Sequence, residues 1–234
     1  MGRGSTTYKV VTMTRFRRDL TPGEARRFWA EDFAWMALSV PTLRHYLQDH
    51  WLGGIDGGGL RALPFDGHAE AWYDNAAAYE ETVTTPAWRA LFDHGTTVFD
   101  PSSMVHGIVD EHVLRDGPRK AGSVKATWTV QLREDLDTEE ACCRWLADHG
   151  PLVLKTPGVL RYEQNHASRF VAQPSPGAPF CGRFHGFFSL WFASPRALHR
   201  ALESEEWARA CREVPGFAAP GSVRGVRVVE HVKR

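Results

Sequence analysis

Val159-Leu160-Arg161-Tyr162-Glu163-Gln164-Asn165-His166 has a counterpart early in the chain, Leu43-Arg44-His45-Tyr46-Leu47-Gln48-Asp49-His50. Tyr, Gln and His fall two residues apart in both. Side chains alternate across a strand, so Tyr162, Gln164 and His166 share one face, as do Tyr46, Gln48 and His50. A polar row kept on one face of two strands needs a structural or chemical reason.

The likeness extends outward from these stretches. A shift of 116 residues pairs Asp19 with Asp135, Leu20 with Leu136, Glu24 with Glu140, Trp29 with Trp145, Asp32 with Asp148 and Pro41 with Pro157. A shift of 119 pairs Gly67 with Gly186, Trp72 with Trp191, Trp88 with Trp207, and Glu111-His112-Val113 with Glu230-His231-Val232. The change of shift falls in a loop, where insertions cost least. The chain is therefore expected to be two similar modules, residues 1–117 and 118–234, joined near the Asp-Gly-Pro and Ala-Gly breakers of 115–122.

Each copy reads in the same order. Residues 8–14 are β-branched and predict a strand. Thr21 can cap a helix, Pro22 suits its first turn, and Glu24 completes a capping box. Ala25, Phe28, Trp29, Phe33 and Met36 continue it at helical spacing, and Pro41 ends it. Strands are then expected at 42–51, 68–73 and 104–114, with a helix from about 75 through 91. The second copy repeats this with strands at 124–131, 158–167, 184–192 and 222–232, and helices at 138–154 and 195–212. Its Pro- and Gly-rich stretch 168–182 reads as a loop, as does the first copy's 53–59. The fold class is α+β: two ferredoxin-like βαββαβ modules packed as an intrachain α+β barrel. Packing or closing the two bare sheet faces would enclose a central cavity.

The 234 residues suit one large domain or two of about 100. Basic and acidic residues balance at 28 each, which argues against a nucleic-acid partner. No apolar run reaches the roughly 20 residues of a membrane span, and residues 1–7 lack a signal-peptide core, so a cytoplasmic location is expected. Cys142, Cys143, Cys181 and Cys211 show no CxxC or metal-ligand spacing and read as reduced structural thiols. No HxH or HExxH occurs, so no metal is expected. The Gly53–Gly59 run lacks a phosphate-loop pattern.

Trp145, Asp148-His149-Gly150-Pro151, Thr156-Pro157-Gly158 and Arg161-Tyr162-Glu163-Gln164-Asn165-His166 together resemble the EthD family of the dimeric α+β barrel superfamily. The first copy keeps Trp29, Asp32, Pro41, Tyr46, Gln48 and His50, but has Phe33 for His149, Trp35 for Pro151 and Asp49 for Asn165. The resemblance implies a tandem, pseudo-dimeric member. Whether two chains associate further stays open. It also implies a small, planar, aromatic or polyketide-derived substrate, acted on without a cofactor by cyclases, isomerases, decarboxylases or monooxygenases. A haem enzyme of the same superfamily and a non-catalytic small-molecule-binding protein are the alternatives. Fold does not select among these.

The resemblance implies a pocket position for His149, since the corresponding histidine of lactone-isomerising relatives lies in the pocket. A histidine near neutral pKa can move a proton on and off a carbon acid or phenol. His149 is thus the first catalytic candidate and His166 the second. Tyr162, Gln164, Asn165, His50, Trp35, Trp128 and His185 are candidate substrate contacts. Each has a plainer reading: a helix-end histidine bonding the next loop, polar side chains tying strand two to its neighbours, aromatics filling a core. What both copies share is expected to be framework. Chemistry is expected where the copies differ, at His149 against Phe33 and Asn165 against Asp49. His106 and His185 also occur in one copy only.

Overall fold

Val11 and Met13 leave β1 (Tyr8–Phe16) on one side and join one apolar cluster, while Val10 leaves on the other and joins a second. That alternation divides the molecule into a barrel interior and an outer layer between strands and helices. The structure is a computed structural model that describes residues 8–56, 63–118, 122–172 and 184–233. The remaining strands are β2 (His45–Gly54), β3 (Gly67–Tyr73), β4 (Phe99–Arg115), β5 (Val124–Val130), β6 (Arg161–Ala172), β7 (Gly186–Phe192) and β8 (Arg224–Val232). They close into an antiparallel barrel in the order β1-β3-β2-β8-β5-β7-β6-β4. The first half supplies β4-β1-β3-β2 and the second β8-β5-β7-β6. Pairing of β4 with β6 and of β8 with β2 joins them.

Both expected first helices start at their caps. Thr21 and Glu24 form the capping box of α1 (Pro22–Phe28), and Asp137 caps α5 (Thr138–Arg144). Neither runs on as one regular helix. A π turn interrupts each at the same place, Trp29–Phe33 and Trp145–His149, before α2 (Ala34–Leu38) and α6 (Gly150–Val153). The second helices also divide. α3 (Ala76–Thr84) gives way to α4 (Pro86–Gly95) at Thr85-Pro86, and α7 (Pro195–Leu202) to α8 (Glu205–Glu213) at the Ser204 cap. β6 runs to Ala172, five residues past the expected end at 167. The rest of the expected loop at 168–182, and residues 57–59 of the glycine run, lie outside the described residues.

The barrel interior is filled, not open as expected of the packed sheets. An eight-stranded barrel is just wide enough for side chains to meet across it. One end holds Val11, Met13, Trp51, Phe65, Phe187 and Val226. The rest holds buried charges. Lys9 Nζ contacts Glu70 and donates to Glu111 at 2.6 Å and Asn165 at 2.7 Å. Lys125 Nζ reaches Asp49 at 2.5 Å, Glu70 at 2.9 Å and Glu230 at 3.2 Å. Each ammonium also lies over an indole, Lys9 over Trp72 at 4.5 Å and Lys125 over Trp191 at 4.7 Å. These are residues paired by the repeat, so the barrel interior carries its two-fold likeness.

Candidate functional site

The outer layer differs between the halves. In the second half the space beside Trp128 and Phe188 is filled. Trp128 stacks on Phe188, ring centroids 5.0 Å apart, and Leu190, Phe192, Leu198, Ala210 and Phe217 close around them. The first half has smaller residues at the matching places: Thr12 for Trp128, Ala69 for Phe188 and Ala71 for Leu190. These line a cavity of about 570 Å³ between the sheet and α2, α3 and α4. That volume falls within the usual range of a small-molecule site, about 300–1,000 Å³.

Three polar side chains meet at this cavity. His106 on β4 is buried, with Nδ1 2.7 Å from Thr12 Oγ1 and Nε2 2.7 Å from Tyr79 Oη. Thr12 comes from β1 and Tyr79 from α3. A neutral imidazole has one donor and one acceptor nitrogen, and both hydroxyls can take either role. The row Tyr79–His106–Thr12 is therefore complete in either tautomer, and one can pass to the other by moving protons along it. Burial lowers the His106 pKa to about 4 and raises that of Tyr79 to about 12, so both are neutral at pH 7. Trp88 lies beside the imidazole, ring centroids 6.0 Å apart. The second half has Leu198 for Tyr79 and Gly225 for His106. A Cβ at Gly225 would come within 2.5 Å of Trp128 Nε1. The indole that fills that layer thus occupies the room His106 takes in the other half.

The Tyr-Gln-His rows hold each first helix to its own sheet. Gln48 Nε2 donates to the Trp29 carbonyl at 2.7 Å, and Gln164 Nε2 to the Trp145 carbonyl at 3.1 Å. Both carbonyls belong to the π turns, which shift the helical bonding pattern. The Trp145 carbonyl accepts from Gly150 N–H, five residues on, as well as from Gln164. Tyr46 and Tyr162 accept from the same amides. His50 stacks on Trp29 at 4.3 Å and His166 on Trp145 at 4.1 Å. Gly67 and Gly186 lie behind the indoles, where a Cβ would clash at 2.5 Å and 3.0 Å. The motif is thus a clamp of histidine, indole and glycine in each half.

Burial pulls the pKa of His50 and His166 down to about 3, each helped by a neighbouring histidine, His231 and His112 respectively. Both are neutral in the fold, whereas an unfolded histidine titrates near 6.5. Their stabilisation is complete above pH 6.5 and is lost as pH falls from there towards 3, on the order of a few kcal/mol each. Urea midpoints are expected to drop between pH 7 and pH 5. A His166→Phe variant, which keeps the stack but cannot charge, should drop less; an equal drop would contradict the assignment.

The remaining candidates lie apart from the cavity. His149 is buried in the filled layer, its Nδ1 3.1 Å from the Ala210 carbonyl and its pKa lowered to about 4 by burial. Phe33, its counterpart, lines the first-half cavity. Asn165 faces the barrel interior and accepts from Lys9, so its difference from Asp49 concerns the charge network. Trp35 is 73% exposed on α2. Trp128 is core. His185 accepts from the Leu132 N–H at its Nδ1. Tyr162 and Gln164 join His166 in the second clamp. The expected set therefore divides among the filled layer, the clamps, the barrel interior and the surface, and only His50, through Trp29, backs the cavity. The sequence signal for the cavity was the run of small residues Thr12, Ala69 and Ala71 against Trp128, Phe188 and Leu190, together with His106.

Two interior groups carry metal-ligand atoms within 4.8 Å of one another: Asp49, His68 and Glu70, and Glu70, Glu111 and Glu163. The Lys9 and Lys125 ammonium groups sit among them and supply the positive charge an ion would bring. A haem needs an imidazole nitrogen facing its iron. Both nitrogens of His106 are engaged. His149 Nε2 is buried without a partner, but Phe188 and Phe217 pack against that ring, centroids 5.8 Å and 5.1 Å away. Among the described residues these side chains do not fit a haem.

The EthD domain model matches residues 133–221. This segment is similar to the EthD domain. It lies within the filled half, and of the residues lining the cavity only Arg169, Phe170 and Val171 fall inside it. No curated protein matches the sequence. Solved structures share the whole fold at low identity. An anthrone oxidase-like protein is 10% identical with a TM-score of 0.62, over 100% of this chain and 96% of its own. A proposed monooxygenase of Fusobacterium nucleatum is 8% identical with a TM-score of 0.60, over 99% and 94%. A mutant chlorite dismutase of Candidatus Nitrospira defluvii is 11% identical with a TM-score of 0.52, over 96% and 92%. At such identities the likeness is one of fold. Among the described residues no helix is long and apolar enough to cross a membrane.

Proposed function

We propose that this protein is an enzyme without a resident cofactor that binds a small planar aromatic molecule in the first-half cavity and moves a proton through Tyr79, His106 and Thr12. On this reading the chain is an intrachain pseudo-dimer of two ferredoxin-like modules, 1–117 and 118–234. One half keeps the site and the EthD half has become its filled support. The catalytic role expected of His149 passes to His106. The observation that carries this is the buried imidazole hydrogen-bonded on both sides at the wall of a largely apolar cavity.

A buried imidazole with a pKa near 4 is a weak base by itself. It gains basicity when an anion forms beside it, because opposite charges attract strongly away from water. Proton removal from a phenol or a carbon acid then couples to formation of its own counter-charge. Such an enolate could isomerise, or react directly with oxygen. One structural relative is an anthrone oxidase-like protein, which makes anthrone a fitting first substrate. Its oxidation to anthraquinone consumes one O₂ and releases one water per molecule. The test is binding of 2-naphthol by tryptophan quenching, followed by anthrone turnover with oxygen uptake. Absence of binding by planar phenols would overturn the reading.

A second expectation follows from comparing the halves. Ala69→Phe installs the residue of the filled layer, and should weaken 2-naphthol binding by at least about tenfold, or 1.4 kcal/mol. Filling space leaves the melting temperature level or higher. Unchanged affinity in a folded Ala69→Phe protein would place the site elsewhere.

A further inference from the structure

Arg169, Phe170 and Val171 are consecutive in β6, yet all three line the first-half cavity. A regular strand would turn alternate side chains away. The pairing with β4 explains the exception. It steps from Val109 opposite Ala167 to Ile108 opposite Arg169, leaving Ser168 over, and from Gly107 opposite Phe170 to His106 opposite Ala172, leaving Val171 over. Such bulges re-aim side chains and are over-represented beside active sites. The second of them sits directly opposite His106. A strand of the second half thereby completes the cavity of the first.

This wall brings a cation to a largely apolar mouth. Arg169 Nη2 donates to the Tyr8 hydroxyl at 3.3 Å, which holds the guanidinium near the entrance. Among the described residues no carboxylate lies within ion-pair distance of it. Its charge reaches Tyr79, where it acts against the burial and the Tyr8 neighbour that raise that phenol. The other charged residue lining the cavity is Glu80, exposed on α3. Val83, Phe92 and Val171 form the exposed apolar rim. An occupant that fits these surroundings has a flat apolar body and one anionic edge.

We infer that Arg169 is the specificity-determining residue of the cavity, selecting planar aromatics that carry a carboxylate, sulfonate or ionised phenol at the edge facing the mouth. The proposal rests on the cavity being the substrate site. Arginine suits the role because its planar fork gives two parallel bonds to a carboxylate. The chemistry follows as well: a guanidinium near Tyr79 stabilises the anion left when His106 takes up a proton.

The test titrates the full-length protein with naphthalene-2-carboxylate and with its uncharged match, naphthalene-2-carboxamide, read by quenching of the cavity tryptophans. The wild type should bind the carboxylate about ten- to a hundredfold more tightly, as expected for hydrogen bonds to a charged group. Arg169→Gln should remove that preference while carboxamide affinity holds within about twofold. Roughly 1 M salt, where the Debye length is about 3 Å, should weaken the wild type's carboxylate binding and spare the carboxamide. Equal affinities in the wild type, or a preference that survives Arg169→Gln, would overturn the assignment. Failure of the wild type to bind either probe would overturn the cavity itself as the substrate site. Salt effects on the unaltered protein decide the matter independently of whether the variant folds.

Discussion

Exchange of His106 for Gln should lower turnover by about 10²–10⁴, the usual contribution of general acid–base catalysis, while aromatic binding persists. Glutamine can keep a bond to Thr12 or Tyr79, but it cannot accept a proton, so the row from Tyr79 to Thr12 is cut in the middle. Tyr79→Phe should act in the same direction. It removes the hydroxyl and leaves the ring packing against Tyr8 and Tyr73, centroids 5.7 Å and 5.4 Å away. His149→Gln separates the two histidines. It touches only the filled layer and the Ala210 carbonyl, so turnover by folded enzyme should hold. Steady-state rates with anthrone or a phenolic substrate check all three. Loss of turnover in His149→Gln with His106→Gln intact would reverse the assignment.

Replacement of Glu70 by Ala should cost stability more than any exchange at the surface. Glu70 contacts both buried ammonium groups, Lys9 and Lys125, and is itself almost fully buried. Burial alone would raise its pKa, but Lys125 and Lys9 beside it hold the carboxyl well below the usual range. Both lysines are in turn held above their ordinary value by the carboxylates, against the lowering effect of burial. Removing Glu70 takes one carboxylate from each ammonium while Lys9 keeps Glu111 and Lys125 keeps Asp49 and Glu230, so the expected cost is about 1.5–3 kcal/mol, that of hydrogen bonds to charged groups. Urea unfolding at pH 7 measures it. A loss below about 1 kcal/mol, typical of an exposed pair, would show that the interior is hydrated or its charges otherwise met. The network itself is not a large source of stability, since well-packed apolar residues often do as well. Its residues come from both halves, and it fixes how β2, β4, β5 and β8 face one another across the barrel.

The barrel was legible because its signals are local and occur twice. Alternation at Tyr46–His50 and Tyr162–His166, the cap at Thr21, and the paired tryptophans each mark an element. Repetition ties the elements into two matching sets. The rule that shared residues are framework also fits the two clamps. The site was harder to read because openness is a property of a layer. It depends on Thr12, Ala69, Ala71 and Tyr79 being small or polar together while Trp128, Phe188, Leu190 and Leu198 are large or apolar together. His149 drew attention through the family resemblance, yet its surroundings are what place it in a packed core. The π turns and the β6 bulges left no local mark either. Each is a one-residue shift in hydrogen bonding, set by what the element packs against.

A structure of the protein bound to 2-naphthol would test most directly where the chemistry lies. The naphthyl ring is expected over Ala69 and Ala71 beneath α3 and α4, with its hydroxyl in hydrogen-bond reach of Tyr79 or His106. A ring bound beside His149, between β7 and α8, would contradict the assignment of the first half as the active one.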